Sequence, residues 1–309
     1  MRTNVTNGIP GRRQARYPMY GIQAGEPSWI FKLRVAERHV GVVLALLFVP
    51  LNVQLAILLL VSYGVRVWGL EAVFHRLFAH RSYRVGRFGQ FVFALIGIQC
   101  GQRGPLWWSA KHRDHHSCTD TKDDPHSPAV QSFLRAYMGW FGAPENASTN
   151  LDTVADLARY PELRWLNRWY LPVFYGGAAA VFVLGHVGAF GTHITGTSAL
   201  LWGFYVPSFL QIHSIAMINT LGHMPRWLGG YRRFETADRS VNRPVLALMT
   251  FGAGWHNNHH RYPSAARAGF TWYEFDLTYY SLVLLEFLGM VQELRRTIPD
   301  EVRREGGLD

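Results

Sequence analysis

Cysteine is nearly absent from this chain. Two among 309 residues, Cys100 and Cys118, cannot staple a small secreted scaffold, and no Cys-rich cluster exists to hold an iron–sulfur group. Charge is also scarce, at 17% Asp, Glu, Lys and Arg. What charge there is falls unevenly. Residues 39–65 and 171–219 contain none of these four residue types, so neither block reads as the surface of a water-soluble domain. The opening residues lack an apolar signal-peptide core, so no cleaved leader is expected. No repeat of basic and aromatic residues suggests nucleic acid, which is excluded as a partner.

The uncharged blocks are long. At about 1.5 Å per residue, a helical segment from His39 to His75 measures about 54 Å. Two crossings of a hydrocarbon core of about 30 Å fit within it. Pro50-Leu-Asn52 is the natural turn. The second block divides at a Gly/Thr-rich stretch, Gly191–Thr197. Crossings at about 39–50, 53–75, 171–189 and 199–221 follow, as two hairpins. The fold class is therefore an all-α membrane protein of four transmembrane helices, with a cytoplasmic helical cap. Residues 1–34 form a basic arm, 35–290 the membrane domain and 291–309 a charged tail. All of the 31 Lys and Arg residues except Arg38 and Arg66 lie in the arm, between Arg76 and Arg168, or from Arg226 onward. Neither hairpin turn carries any. By the positive-inside rule both termini and the central segment face the cytoplasm; the membrane is expected to be a bacterial inner membrane rather than the endoplasmic reticulum. The apolar stretch Gly86–Gly101 is short and Gly-interrupted, and reads as an interfacial or re-entrant helix.

Histidine is what the chain has in concentrated form. Eight of the 14 sit in three boxes: His75-Arg-Leu-Phe-Ala-His80, His112-Arg-Asp-His115-His116 and His256-Asn-Asn-His259-His260. Neutral imidazole is a common transition-metal ligand, and eight exceed the needs of one ion, which points to a di-metal centre held by the helical cap. On a helix, residues three and four apart share a face, so each H-x-x-H-H trio can hold one metal or straddle two. His75 and His80 are five apart, and the helix carrying His75 is expected to end or unwind before His80. His39, His126, His186, His193 and His213 have no spacing that demands metal.

Box type, order and spacing resemble the membrane fatty-acyl desaturases of the stearoyl-CoA desaturase kind. The resemblance covers about residues 35–285. It includes His75-Arg-Leu before Arg81-Ser-Tyr83, Asp124-Pro-His126, Asn219-x-x-x-His223 and Gly254-Trp-His-Asn-Asn-His-His-Arg-Tyr-Pro263. It implies two non-haem irons, with O2 as co-substrate. One iron would be bound by His75, His80, His112, His116 and His259. The other would be bound by His115, His223, His256 and His260, with Asn219 reaching it through water. No catalytic residue beyond the metal centre is implied. Asp120, Asp123, Asp124 and His126 are candidates to hydrogen-bond the ligands.

The implied reaction places a cis double bond near carbon nine of a saturated acyl chain. Unactivated methylene C–H bonds are beyond protein acid–base groups, so the cofactor carries the hard step. With no haem-binding His-Pro-Gly-Gly stretch here, electrons must come from a separate donor protein: cytochrome b5, ferredoxin or similar, with a reductase. Two departures concern the substrate. Acyl-CoA members usually carry Arg-Asp before the second box, where this chain has Ala110-Lys111, so either CoA or membrane phospholipid serves as carrier. Relatives often carry Gly-Glu-Gly before the third box, where this chain has Gly252-Ala-Gly254. Glu71, one turn before His75, is a candidate to hold a ligand histidine in its place. Arg103 and Lys111 are candidates for the carrier group, and Val67 and Trp68 for the acyl chain. A related di-iron lipid hydroxylase or ketolase is the alternative, and a non-enzymatic metal-binding membrane protein a distant third.

Overall fold

The computed structural model describes residues 19–296 and residue 302. The start of the basic arm and most of the tail beyond residue 296 lie outside the described residues. The chain is mostly helical. Among the described residues the strands amount to one two-residue antiparallel pair, Ile22–Gln23 with Thr149–Asn150.

Helix α1 (Ser28–Phe48) stops just before Pro50, which lacks the N–H a continuing helix needs. The Asn52 side chain then accepts from Leu55 N at 2.9 Å and starts the next helix, as an N-cap does. That helix, α2 (Val53–Ala79), is long and apolar enough to cross a membrane. From Gly69 onward its bonding changes from α to π. Gly69 sits where a Cβ would stand 2.7 Å from Ile96 O of α3 (Arg87–Ile98), so only glycine allows this approach. Helix α3 leads through a turn into α4 (Pro105–Cys118), and both pack beside the π-helical end of α2.

The short helix α5 (Pro161–Arg168) meets α6 (Tyr170–His186) at a 72° bend, and together they reach membrane-crossing length and hydropathy. Helix α7 (Gly196–Leu221) is the second unbroken helix of that kind. It is also the most enclosed, packing against α1, α2 and α6. The outer faces of α1, α2 and α6 expose a belt of large apolar side chains, among them Leu46, Phe48, Ile57, Leu60 and Val183. A patch of that size on a protein marks contact with another apolar phase. Two unbroken candidate spans, or three with the bent pair, are therefore seen. Helix α1 starts earlier than residue 39, at Ser28, and carries Lys32, Arg34, Glu37 and Arg38 in its first half.

The remaining chain folds as short helices and loops over one end of these helices. It includes α8 (His256–Arg261) and α9 (Leu277–Phe287). Buried and partly buried ion pairs fasten it. Arg76 on α2 bonds both oxygens of Asp276 at 3.0 Å and gives another N–H to Ala266 O. Arg113 on α4 donates to Ala79 O and Phe78 O, capping the last carbonyls of α2, and pairs with Asp156 at 2.7 Å.

Candidate metal centre

The first box occupies the π-helical end of α2. Five-residue spacing, which an α-helix scatters over two faces, is brought round again by i+5 bonding. His80 N donates to His75 O at 3.0 Å, and the rings lie 4.9 Å apart. The helix ends at Ala79, before His80 as expected, and its last eleven residues have changed pitch from α to π. The second box, on α4, splits. His112 and His116 share one face and turn toward the first box, while the buried His115 turns the other way. The third box, on α8, splits likewise: His259 faces the first box, and His256 and His260 face His223 just past α7.

Two sets of imidazoles result. His75, His80, His112 and His259 offer nitrogens all within 4.8 Å of one another, as do His115, His223, His256 and His260. His116 joins the first set, its Nε2 being 3.1 Å from His112 Nε2 and 3.0 Å from His259 Nε2. Carboxylates fix the tautomers. The Nδ1–H of His75 donates to Glu71 at 3.0 Å, His115 to Asp124 at 2.9 Å, His223 to Asp120 at 3.1 Å and His260 to Asp238 at 2.9 Å. Each bond leaves an Nε2 lone pair pointing inward.

These inward nitrogens fit metal ions. His75 Nε2 lies 3.0 Å from His259 Nε2, His80 Nε2 lies 2.8 Å from His112 Nε2, and His256 Nε2 lies 2.9 Å from His223 Nε2. Lone pairs facing lone pairs at such distances repel unless a cation lies between them. Ligands at about 2.1 Å from one ion, at right angles, stand about 3 Å apart. The buried Nε2 atoms of His115 and His260 find no hydrogen-bond partner among the described residues. Protonation is suppressed as ligation requires. Burial, then the neighbouring imidazoles, holds His112, His116, His256 and His259 well below the ordinary imidazole range, and burial, then His75 and Arg113, does so for His80. Burial pushes His260 down to about 4 despite the opposing hydrogen bond to Asp238. For Asp120, Asp124 and Asp238 burial alone would raise the carboxyl. The hydrogen bonds and charges of their histidines prevail and hold all three low.

On the bilayer side of both sets lies a narrow cavity of about 40 Å³, walled by Leu70, Glu71, Trp108, Ile215, Ile218, Asn219 and Ala253 with the imidazoles. Glu71 and Ala253 thus face the same space. His126 also borders it, stacked on His115 at 4.3 Å and tilted against Trp140 at 4.5 Å. Val67 is fully buried one turn before Glu71. Trp68 turns toward α3 and α9, meeting Phe93 edge to face and donating to Ser281 Oγ at 2.8 Å. Arg103 is buried, with N–H groups given to Ala147 O and Phe141 O and an ion pair to Glu26 at 3.4 Å. It borders a separate cavity of about 190 Å³ with Trp107 and Tyr170. Lys111 is half-buried, and burial lowers its amine below the usual lysine value. Asp123 is exposed, and its backbone N–H bonds Thr121.

Several supporting residues escaped the sequence reading. Asp238 stands 22 positions from His260 with no spacing to mark it. Asn257 and Asn258, inside the third box, are fully buried. The Asn257 carbonyl oxygen accepts from Arg233 N and Phe234 N at 2.8 Å. Asn258 accepts from the Asn242 amide, whose own oxygen accepts from both Asn257 N and Asn258 N. A box of two adjacent asparagines flanked by ligands was the available signal.

Over residues 51–284 the chain matches the sequence profile described as fatty acid desaturase. It is 33% identical over 248 residues to an acyl-CoA C20 Delta5-desaturase of Anemone leveillei, covering 77% of this chain and 72% of that one. An sn-2 palmitoyl-lipid 9-desaturase of Nostoc sp. (strain 36) is 34% identical over 236 residues, covering 75% and 78%. An sn-1 stearoyl-lipid 9-desaturase of Anabaena variabilis is 30% identical over 273 residues, covering 87% and 94%.

Proposed function

Because the chain belongs to the fatty acid desaturase family and is an oxidoreductase of fatty acyl chains, we propose that it is an integral-membrane di-iron desaturase introducing a cis double bond near carbon nine. Its substrate is a saturated acyl chain on CoA or phospholipid, its co-substrate O2, and its electrons come from a separate donor protein. The observation that carries this reading is the pair of imidazole sets flanking a narrow cavity walled largely by apolar side chains.

Two irons would be held by His75, His80, His112, His116 and His259, and by His115, His223, His256 and His260. Asn219 stands beside the second set. When bound, they supply the oxidising power that methylene C–H bonds demand. The chain's own residues do the rest. Glu71, Asp120, Asp124 and Asp238 hold Nδ1 protons and so aim Nε2 at the metals. His126 and Trp140 wedge His115 in place. Leu70, Ile215 and Ile218 exclude water from the slot where two neighbouring methylenes must lie. Four crossings, as two hairpins, would bring all three boxes and both termini to the cytoplasmic face.

Expression in a host lacking unsaturated fatty acids, followed by mass spectrometry of its lipids, tests the reading. Monounsaturated chains with the double bond at carbon nine are expected, together with iron near two per chain in the purified protein. Hydroxylated or unchanged chains would overturn it. Parallel assays on acyl-CoA and on phospholipid vesicles identify the carrier.

A further inference from the structure

A second buried polar group lies beyond the metal centre, where α1, α2, α6, α7 and the α3–α4 turn meet. Arg38 of α1 and Arg66 of α2 are only 1% and 3% exposed. Each gives one N–H to the end of α3: Arg38 Nη2 to Gly101 O at 3.2 Å, and Arg66 Nη1 to Gln99 O at 2.5 Å. Both guanidiniums lie over the Phe174 ring, 5.3 and 6.0 Å from its centroid. Helix α7 adds two polar side chains near this depth. Its Tyr205 abuts Gly41 and its Phe209 abuts His39, which sets Arg38 level with Ser208. Gln211 follows one turn nearer the metals, on the stripe that continues through Ile215 and Asn219. Ser208 and Gln211 are 1% and 0% exposed.

These side chains are largely unanswered. Arg38 Nε and Nη1, Arg66 Nε, Ser208 Oγ and both polar atoms of the Gln211 amide find no hydrogen-bond partner among the described residues. Such groups are costly to bury unpaired, and an ionisable residue within a membrane-spanning helix ordinarily marks a function. Nearby carboxylates are already engaged: Glu26 pairs with Arg34 at 2.9 Å and Arg103 at 3.4 Å, and Glu37 accepts from the Tyr175 hydroxyl. Among the described residues, neither Arg38 nor Arg66 has a carboxylate within ion-pair distance.

We propose that Arg38 and Arg66, with Gln211 Nε2 and the Ser208 hydroxyl, bind a monovalent anion inside the membrane domain. Free N–H and O–H donors outnumber acceptors here, and of the three guanidiniums over the Phe174 ring only that of Arg34, at 5.7 Å, has a carboxylate partner among the described residues, so Arg38 and Arg66 call for a counter-charge. The anion is either a free ion or a carboxylate at the far end of the bound chain. The second source is open because Ile215, one turn from Gln211, borders the cavity under the metals. Only that source rests on the desaturase reading.

The test uses purified full-length protein in detergent. Sodium bromide is titrated against sodium gluconate at constant ionic strength while thermal melting is followed, and bromide-soaked crystals are measured for anomalous scattering. Bromide is expected to raise the melting temperature with the logarithm of its concentration, and to give an anomalous peak between Arg38 and Arg66. Arg66→Met should abolish both. Should that variant fail to fold, Gln211→Leu should still fold and weaken the bromide response about tenfold. An ω-carboxylated acyl substrate that shifts the titration to higher bromide assigns the anion to the chain; one that does not assigns it to a free ion. A melting temperature indifferent to bromide, or a response unchanged in both variants, would overturn the proposal. Neither readout measures desaturation, so such a failure leaves the proposed activity standing.

Discussion

At the scale of single residues, the centre depends on imidazoles kept neutral and aimed. Alanine at His75, His112, His115, His256 or His260 is expected to abolish desaturation and lower bound iron while leaving membrane insertion intact. His186 and His193, outside both sets, should tolerate it. Near-normal product from two such box variants would sink the di-iron assignment. Glu71→Ala removes only the acceptor for His75 Nδ1–H, and should weaken metal binding about 10- to 100-fold. Metal analysis after graded chelation would show it; unchanged retention would make Glu71 a bystander. Acid should act on the metal-free protein. Its buried imidazoles titrate below the value near 6.5 of an unfolded chain, so between that pH and about 4 the unfolded state binds more protons. Stability is then lost as pH falls, and melting curves of chelator-treated protein should shift downward below about pH 6.5. A flat profile from pH 7.5 to 5 would contradict this. The boxes themselves were legible because ligand chemistry needs a rare residue at short spacing. Asp238 was not, since a carboxylate that meets its histidine across a loop leaves no periodic trace.

At the scale of elements, hydropathy shows where helices lie better than how they bond. The breaks at Pro50–Asn52 and at Gly191–Thr197 were readable, because proline, an N-capping asparagine and glycine act locally. The π-helical run from Gly69 to Ala79 was not, because its register depends on α3 and α4 pressing against it. Helix α9 went unanticipated for a similar reason: eleven residues give too brief an apolar pattern to stand out. Cysteines placed at Asn52 and Thr195 should label from outside the membrane, and one at residues 148–150 should not. Labelling of all three from one side would refute the two-hairpin arrangement. Val67, buried on α2 before the cavity, is expected to limit acyl length. Val67→Phe should favour shorter products and Val67→Ala longer ones, at about 0.8 kcal/mol per buried methylene. Identical product profiles from both variants would place the limit elsewhere.

At the scale of the whole molecule, the carrier group must meet the protein where chain and water both have access. Of the two basic candidates, Arg103 already serves two carbonyls and Glu26, which leaves Lys111 as the more available amine. Lys111→Ala should raise KM several-fold with little change in kcat, since it removes binding remote from the reacting carbons. Unaltered kinetics on both acyl-CoA and phospholipid would make Lys111 structural. The sharing of α4 and α8 between the two imidazole sets has another consequence. Seating one ion draws in helices that also carry most of the grip on the other, so filling the first site prepares the second. In iron-starved cells the population should then divide into empty and fully loaded molecules, with few holding a single ion. Native mass spectrometry of the extracted protein would count them.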